Sequence, residues 1–432
     1  MVLDVRRRLS RSDSTRARAR VALAALGGAV AIAGCGSSAK HAAGAEASAD
    51  PPGGASCPAT ALTALGHVAM HVYHEGISSE RAISALRAIE GSAPLRLAVE
   101  AGDPAGVRGA AQALVATGEM AALRVSVAGK VLADVGEPAV APLSGALTGA
   151  AGKPIASFVT SVWSDRGLTA ETGGITEGTA VLRTTESAGG RTLAGRIQLP
   201  TRHLAARGTL THDGTTYQFT SNAVGAFPSG RLREYVLRPI GSLTPFCGAS
   251  AEETTVNVLS RIAHLIYDGE TGGRTVPQIR RVQRNQALLS AVARRDPTAT
   301  RAAVAALLTQ HIVRLRVSDA GEKLLSDVGG PFVLAPVHAP LRLAGRTIGS
   351  LVLSIQDDEG YKRLAGRLAG LDVVMYMGSR LVKSTISFSP GTVPTSGPFS
   401  YRGRRYRDYT FYADAFPSGP LRITVLVPIP YS

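Results

Sequence analysis

The sequence predicts an α+β protein built from two tandem copies of one unit, each an antiparallel sheet with a helical N-terminal lead-in. Two observations carry this. The first is internal repetition. Phe227-Pro228-Ser229-Gly230 returns as Phe416-Pro417-Ser418-Gly419, and Asp134-Val135-Gly136 returns as Asp327-Val328-Gly329. Leu123-Arg124-Val125-Ser126 returns as Leu315-Arg316-Val317-Ser318, and Asp103-Pro104 as Asp296-Pro297. The order is kept and the spacing is nearly constant, which marks a duplication of domain size rather than a short solenoid repeat. The second observation is a change of hydrophobic period inside each unit, from helical spacing to strand alternation. Helices followed by strands imply an antiparallel sheet with helices packed on it.

The chain opens with the pattern of a secretory signal. Arg6, Arg7, Arg8, Arg11, Arg16, Arg18 and Arg20 form a basic stretch before a short apolar run from Val21 to Ala33. That run is too short to span a bilayer as a stable helix. Ile32-Ala33-Gly34-Cys35 reads as a bacterial lipobox. Residues 1–34 are therefore expected to be a lipoprotein signal peptide, with Cys35 lipidated at the extracytoplasmic face of the cell membrane. Residues 35–56 are Ala, Gly, Ser and Pro with little else apolar, and read as a disordered tether. The two units follow as residues 57–248 and 249–432. With Cys35 acylated, Cys57 and Cys247 remain in an oxidising compartment and are expected to pair.

In the second unit, Val256, Leu259, Ala263 and Ile266 share one helix face, and Thr275 with Pro277 starts a second helix. Asp103-Pro104 and Asp296-Pro297 read as an N-cap followed by Pro at the first helical position. Two strands run around the Asp319-Ala320-Gly321 turn, and a third covers about Thr347 to Gln356. Asp357 or Asp358 caps a helix with the stripe Tyr361, Leu364 and Leu368. Val373 to Tyr376 and Leu381 to Thr385 pair around Gly378, and a last hairpin covers roughly Arg405–Ala413 and Leu421–Val427. In the first unit Phe158 to Trp163 is the matching strand and Ser164-Asp165 the acidic step. Its following helix is expected to be about two turns shorter, taking Thr179 as the counterpart of Ser379.

This order resembles the extracytoplasmic Cache domains, relatives of the PAS fold. The resemblance rests on the strand Ile348 to Ile355, the step Asp357-Asp358-Glu359-Gly360-Tyr361, and the strand–turn–strand from Val373 to Ser384. It implies two tandem PAS/Cache-like domains that bind a small polar metabolite, such as an amino acid or carboxylate, against the sheet. Acidic, aromatic and Arg side chains would fix the ligand. The matching positions are Asp357, Asp358 and Tyr376, with Arg316 available to clamp a ligand carboxylate. Two other readings stand beside these: one Asp serves only as the helix N-cap, and Arg316 is a solvated strand residue. Cache domains usually sit between membrane helices that signal inward. Here the sequence stops at Ser432 after its last strand, so a sensor of this kind is expected to report through a membrane signalling partner.

The formal charge is +15, and residues 249–432 hold 23 basic against 14 acidic side chains. A basic half on a membrane leash suits anionic lipid or cell-wall polymer, and it also suits a solvated surface. Nucleic acid is not expected as a partner outside the cell. Arg402, Arg404, Arg405 and Arg407 with Tyr401 and Tyr406 form a basic aromatic strand, readable as a contact face or as a charged sheet edge. The sequence has no Gly-x-Ser-x-Gly elbow, phosphate-cradling glycine loop or Cys-x-x-Cys pair. No enzymatic activity, cofactor or metal is expected. His67, His71 and His74 share a helix face, but the second unit has Arg261, Leu265 and Asp268 in their places. The expected function is a lipid-anchored small-molecule-binding or sensor protein. The alternative is a cell-envelope interaction or scaffold protein that uses its basic second domain.

Overall fold

A computed structural model describes residues 56–185, 190–272, 275–308, 311–387 and 393–431. The signal segment, Cys35 and the tether up to residue 55 lie outside the described residues. The first repeat begins with α1 (Cys57–Ser78), α2 (Glu80–Glu90), α3 (Ala93–Glu100) and α4 (Pro104–Ala116). A four-stranded sheet follows in the order Lys130–Gly136, Ala122–Val127, Pro154–Ser161, Leu143–Thr148. After α5 (Asp165–Thr176) comes a second sheet, centred on Thr215–Phe227, Gly230–Pro239 and Thr179–Thr184.

The second repeat copies this plan. It has α6 (Ala251–Asp268), α7 (Thr275–Gln283), α8 (Gln286–Ala293) and α9 (Pro297–Leu307). Its first sheet runs Leu324–Gly329, Arg314–Asp319, Arg346–Ser354, Val337–Leu343, the same order as in the first repeat. After α10 (Asp358–Ala369) comes the sheet Arg380–Ser384, Asp372–Met377, Leu421–Ile429, Arg404–Ala413, Ser396–Tyr401. The pairings in both repeats are antiparallel. The class is α+β, as the sequence predicts.

Each repeat divides its strands between two main sheets instead of building one. The break sits at a serine. The Ser354 Oγ donates to the carbonyl of Leu334 and accepts from the Gln356 N–H at 3.1 Å, replacing ladder bonds with local ones. The chain then leaves the sheet, and Gln356–Asp357 pairs with Phe332–Leu334. Ser161 does the same with Val140 and Trp163. The matched helices α5 and α10 are both 12 residues long, which corrects the expectation of a helix two turns shorter. The counterpart of Thr179 is Asp372: each opens the strand after its helix and sits on the same register, opposite Leu237 and Leu426.

Two of the strands that escape the sequence pattern carry prolines. Val337–Leu343 contains Pro340, and Ser396–Tyr401 contains Gly397 and Pro398. Both are edge strands, where a missing donor or side chain is tolerated.

Three main cores result. α2, α3 and α4 cover the first four-stranded sheet through Ile89, Leu95, Val107 and Phe158, and α8 and α9 cover its counterpart through Leu288, Val304, Leu351 and Leu353. The largest core joins the repeats. Leu65, Val68 and Val72 of α1 meet Leu259, Ile262 and Ile266 of α6, with Tyr361 and Ala365 of α10, between sheet residues Val236 and Val425. α1 keeps only a narrow polar stripe, Thr60, Thr63, His67, His71 and His74, because elements of both repeats enclose the rest of it. The Tyr361 hydroxyl donates to the Ala263 carbonyl at 3.0 Å. Arg367 pairs with Glu75, and Arg261 with Glu177, so charges also cross between the repeats. Cys57, at the start of α1, is disulfide-bonded to Cys247 with Cα atoms 5.5 Å apart. This bond ties the two ends of the first repeat together.

Candidate functional site

Strand alternation gives the last sheet of each repeat two faces. In the second repeat Val373, Met375, Phe411 and Val425 face the shared core. The opposite face carries Val374, Tyr376, Tyr406 and Leu426, with Ile386 and Val393 packed over it. Register adds polar groups to this face. Tyr376 lies opposite Arg422, Val374 opposite Thr424, and Asp372 opposite Leu426. On the far side of the same central strand, Asp408 lies opposite Leu426 and Thr410 opposite Thr424.

Several of these groups satisfy one another. The Tyr406 hydroxyl donates to Asp372 Oδ2 at 3.1 Å, and the hydroxyls of Thr410 and Thr424 are 2.9 Å apart. Arg422 stacks on the Tyr376 ring, 4.5 Å from its centroid. Others are buried and unmet. Both carboxylate oxygens of Asp408, the Tyr376 hydroxyl and Arg422 Nε have no hydrogen-bond partner among the described residues. Asp408 is 4 % exposed, and desolvation pushes its carboxyl up to about 6. Burial likewise raises the Tyr376 phenol, against the pull of Arg422. Buried polar groups are nearly always paired, so this cluster of unpaired ones on one sheet face is the candidate site.

The first repeat shows the same face closed. Phe219 stands where Asp408 does, Tyr235 where Thr424 does, and Arg183 where Tyr376 does. Ile197, Leu199 and Leu204 pack on Phe219 and Tyr235. Arg183 donates to the carbonyls of Gly190, Thr201 and Arg202 at 3.1, 2.9 and 2.6 Å. Arg233, the counterpart of Arg422, donates to the Ser221 hydroxyl at 3.1 Å. Duplication has left one face filled by its own chain and the other with unmet groups.

Of the residues singled out in the sequence, Tyr376 lies on this face. Asp357 caps α10, accepting the Gly360 N–H at 2.7 Å. Asp358 begins that helix, 3.8 Å from Lys383 Nζ, with its pKa raised by burial. Arg316 is engaged elsewhere. It bonds Asp327 at 2.8 Å and lies over Phe416, and Arg314 bonds the same carboxylate at 2.7 Å. Burial pushes the Asp327 carboxyl up, but these two guanidiniums hold it below the usual range overall. The four residues are not brought to one point. Asp408 and Arg422 went unnoticed in the sequence. The available signal was the contrast between the copies: counted back from the shared Phe-Pro-Ser-Gly, Asp408 stands where the first copy has Phe219.

His67 and His71 of α1 lie against Tyr431, with ring centroids 5.6 and 6.3 Å away, and burial lowers both pKa values. Among the described residues no three His, Cys, Asp or Glu side chains are grouped to hold a metal. No helix among them is long and apolar enough to cross a membrane.

No family model matches the chain, and no curated protein matches it. Among solved structures it is similar to the periplasmic domain of Vibrio cholerae LuxQ, at 13% identity and a TM-score of 0.28, covering 39% of this chain and 97% of that one. A second crystal structure of the LuxQ domain has a TM-score of 0.25 at 13% identity, covering 39% and 95%. An extracellular ligand binding receptor from Desulfohalobium retbaense DSM5692 has a TM-score of 0.20 at 11% identity, covering 50% of this chain and 46% of that one.

Proposed function

We propose that this chain is a non-enzymatic, extracytoplasmic ligand-binding or sensor protein, lipid-anchored through Cys35 and built from two Cache-like units, 57–248 and 249–432. A small polar metabolite binds the outer face of the last sheet in the second unit, and the bound state is presented to a membrane partner. The observation that supports this reading is the unmet set Asp408, Tyr376 and Arg422 on a face that the first unit fills with its own side chains. An ammonium or a hydroxyl donor would satisfy Asp408, and a carboxylate or carbonyl would satisfy Arg422 and Tyr376. A thermal-shift screen of amino acids, amines and short carboxylates tests the ligand claim. A rise in melting temperature with at least one compound is expected, and no shift across the panel refutes it. Mass spectrometry of the membrane-extracted protein tests the anchor, with a diacylated N-terminal Cys35 expected and an unmodified Cys35 contradicting it.

The alternative envelope-contact role is favoured by one feature. Arg402, Arg404 and Arg405 are exposed around the turn of the Ser396–Tyr401/Arg404–Ala413 hairpin. Arg405 pairs in register with Ile429, which lines a cavity with Thr60 and Thr63 near the start of α1. The basic turn thus lies towards the start of α1. Neutralising these arginines abolishes salt-sensitive binding to anionic vesicles if that role holds.

A further inference from the structure

A cavity of about 790 Å³ opens where α2 of the first repeat meets α7 and α10 of the second. The Arg, Asp and Glu side chains of its lining are already engaged. Arg81 donates to the Glu119 and Gly118 carbonyls at 3.1 and 2.6 Å, and Arg363 lies 3.4 Å from Glu80. Glu359 pairs with Lys362 at 2.8 Å and with Lys383 at 3.1 Å, and Asp357 holds the Gly360 N–H. The Gln356 amide is not engaged among the described residues. Gln356 is 3 % exposed, and both its Oε1 and Nε2 are buried without a partner among the described residues. Oε1 of Gln278, also on the wall, is buried and unmet.

The first repeat fills the matching position. Trp163 pairs with Val140 as Gln356 pairs with Leu334, and both residues follow the serine that ends the sheet. The indole packs so tightly that a Cβ on Gly76 would lie 2.5 Å from its Cδ1. The second repeat has the buried Gln356 amide in place of that indole, on a residue of the cavity wall.

We propose that this cavity binds a neutral molecule presenting a donor and an acceptor side by side, a primary carboxamide or a lactam. Gln356 is its bidentate partner, and Gln278 accepts the second N–H where the ligand is a primary carboxamide. A carboxylate satisfies Nε2 of Gln356 but leaves Oε1 facing a second acceptor, and an ammonium leaves Nε2 unmet. The site is separate from the sheet face around Asp408, so either can fail without the other.

Saturation-transfer NMR and calorimetry on the full chain test this, with nicotinamide and δ-valerolactam as probes and nicotinate as the control. Both amides should bind and nicotinate should not. Gln356→Leu should weaken binding at least tenfold, and Gln356→Trp, copying the first repeat, should block it, with both variants checked for a folded melting transition. Asp408→Asn should leave amide affinity unchanged. The proposal is overturned if neither amide binds, if nicotinate binds as well as nicotinamide, if folded Gln356 variants bind like the parent, or if Asp408→Asn abolishes amide binding.

Discussion

Arg422 stacks on Tyr376 across one register pair of the last sheet, its guanidinium carbon 4.5 Å from the ring centroid, while its Nε and the Tyr376 hydroxyl both stay unbonded. Cation–π contact of this kind contributes about 0.5–2 kcal/mol and keeps both groups aimed at the same space. Tyr376→Phe retains the ring and removes only the unmet hydroxyl. We expect unchanged or slightly raised urea stability, by up to about 1 kcal/mol, together with weaker ligand-induced stabilisation. A loss of stability greater than that would mean the hydroxyl has a partner within the fold.

Arg316 behaves as a structural residue in this account. Its guanidinium shares Asp327 with Arg314, so Arg316→Ala should cost about 1–2 kcal/mol in chemical denaturation. Any ligand-induced rise in melting temperature should survive the substitution. Selective loss of that rise in a still-stable variant would restore Arg316 to the binding site.

Glu234 sets a pH dependence. It is fully buried between sheet and α5, beside Thr172, and desolvation pushes its carboxyl up to about 8. Its pKa in the folded state thus exceeds its unfolded value, so the folded protein holds the proton more tightly. Stability should fall as pH rises from about 4.5 to about 8, by at most about 1.4 kcal/mol per pH unit for one proton. Glu234→Gln should flatten that slope in urea titrations run across this window. An identical slope in the variant would show that Glu234 titrates normally.

The disulfide closes a loop with a sequence separation of 190 residues. The chain-entropy model assigns it about 5 kcal/mol, an upper figure if the unfolded chain stays compact. The double variant Cys57→Ser, Cys247→Ser should lower the free energy of unfolding by about 2–5 kcal/mol, mainly through the unfolded state. Equal stability with and without the bond would contradict this.

Much of the fold is legible in the sequence because the chain says it twice. Asp103 and Asp296 cap α4 and α9 as their Asp-Pro steps predict, and Leu315 and Val317 alternate into a core as their spacing predicts. The division into two sheets was not legible, since it depends on where the hydroxyls of Ser161 and Ser354 point, and serine carries no period. Edge strands with Pro340 and Pro398 were hidden for a similar reason: edges tolerate what central strands do not. At the candidate site, Tyr376 could be reached through resemblance. Asp408 shows in the sequence only as a contrast with Phe219 at the same distance from the repeated Phe-Pro-Ser-Gly, and its meaning lies in a face that only the register defines.

Asp408 tests the central claim most directly. Its raised pKa means that the ionised carboxylate disfavours folding above about pH 6, and this cost disappears as pH falls towards its unfolded value of 3.8. At pH 7.5 Asp408→Asn should therefore melt above the parent protein in the absence of ligand, by a margin that vanishes near pH 4. The decisive measurement is the melting temperature of both proteins, read side by side at pH 7.5 against amino acids, amines and short carboxylates. At a concentration about 100-fold above Kd, a ligand adds about 2.7 kcal/mol, which is several degrees for a chain of this size. We predict at least one compound that raises the parent by that amount and leaves Asp408→Asn unmoved. The same rise in both proteins, or no rise in either, would contradict a ligand site on this sheet face.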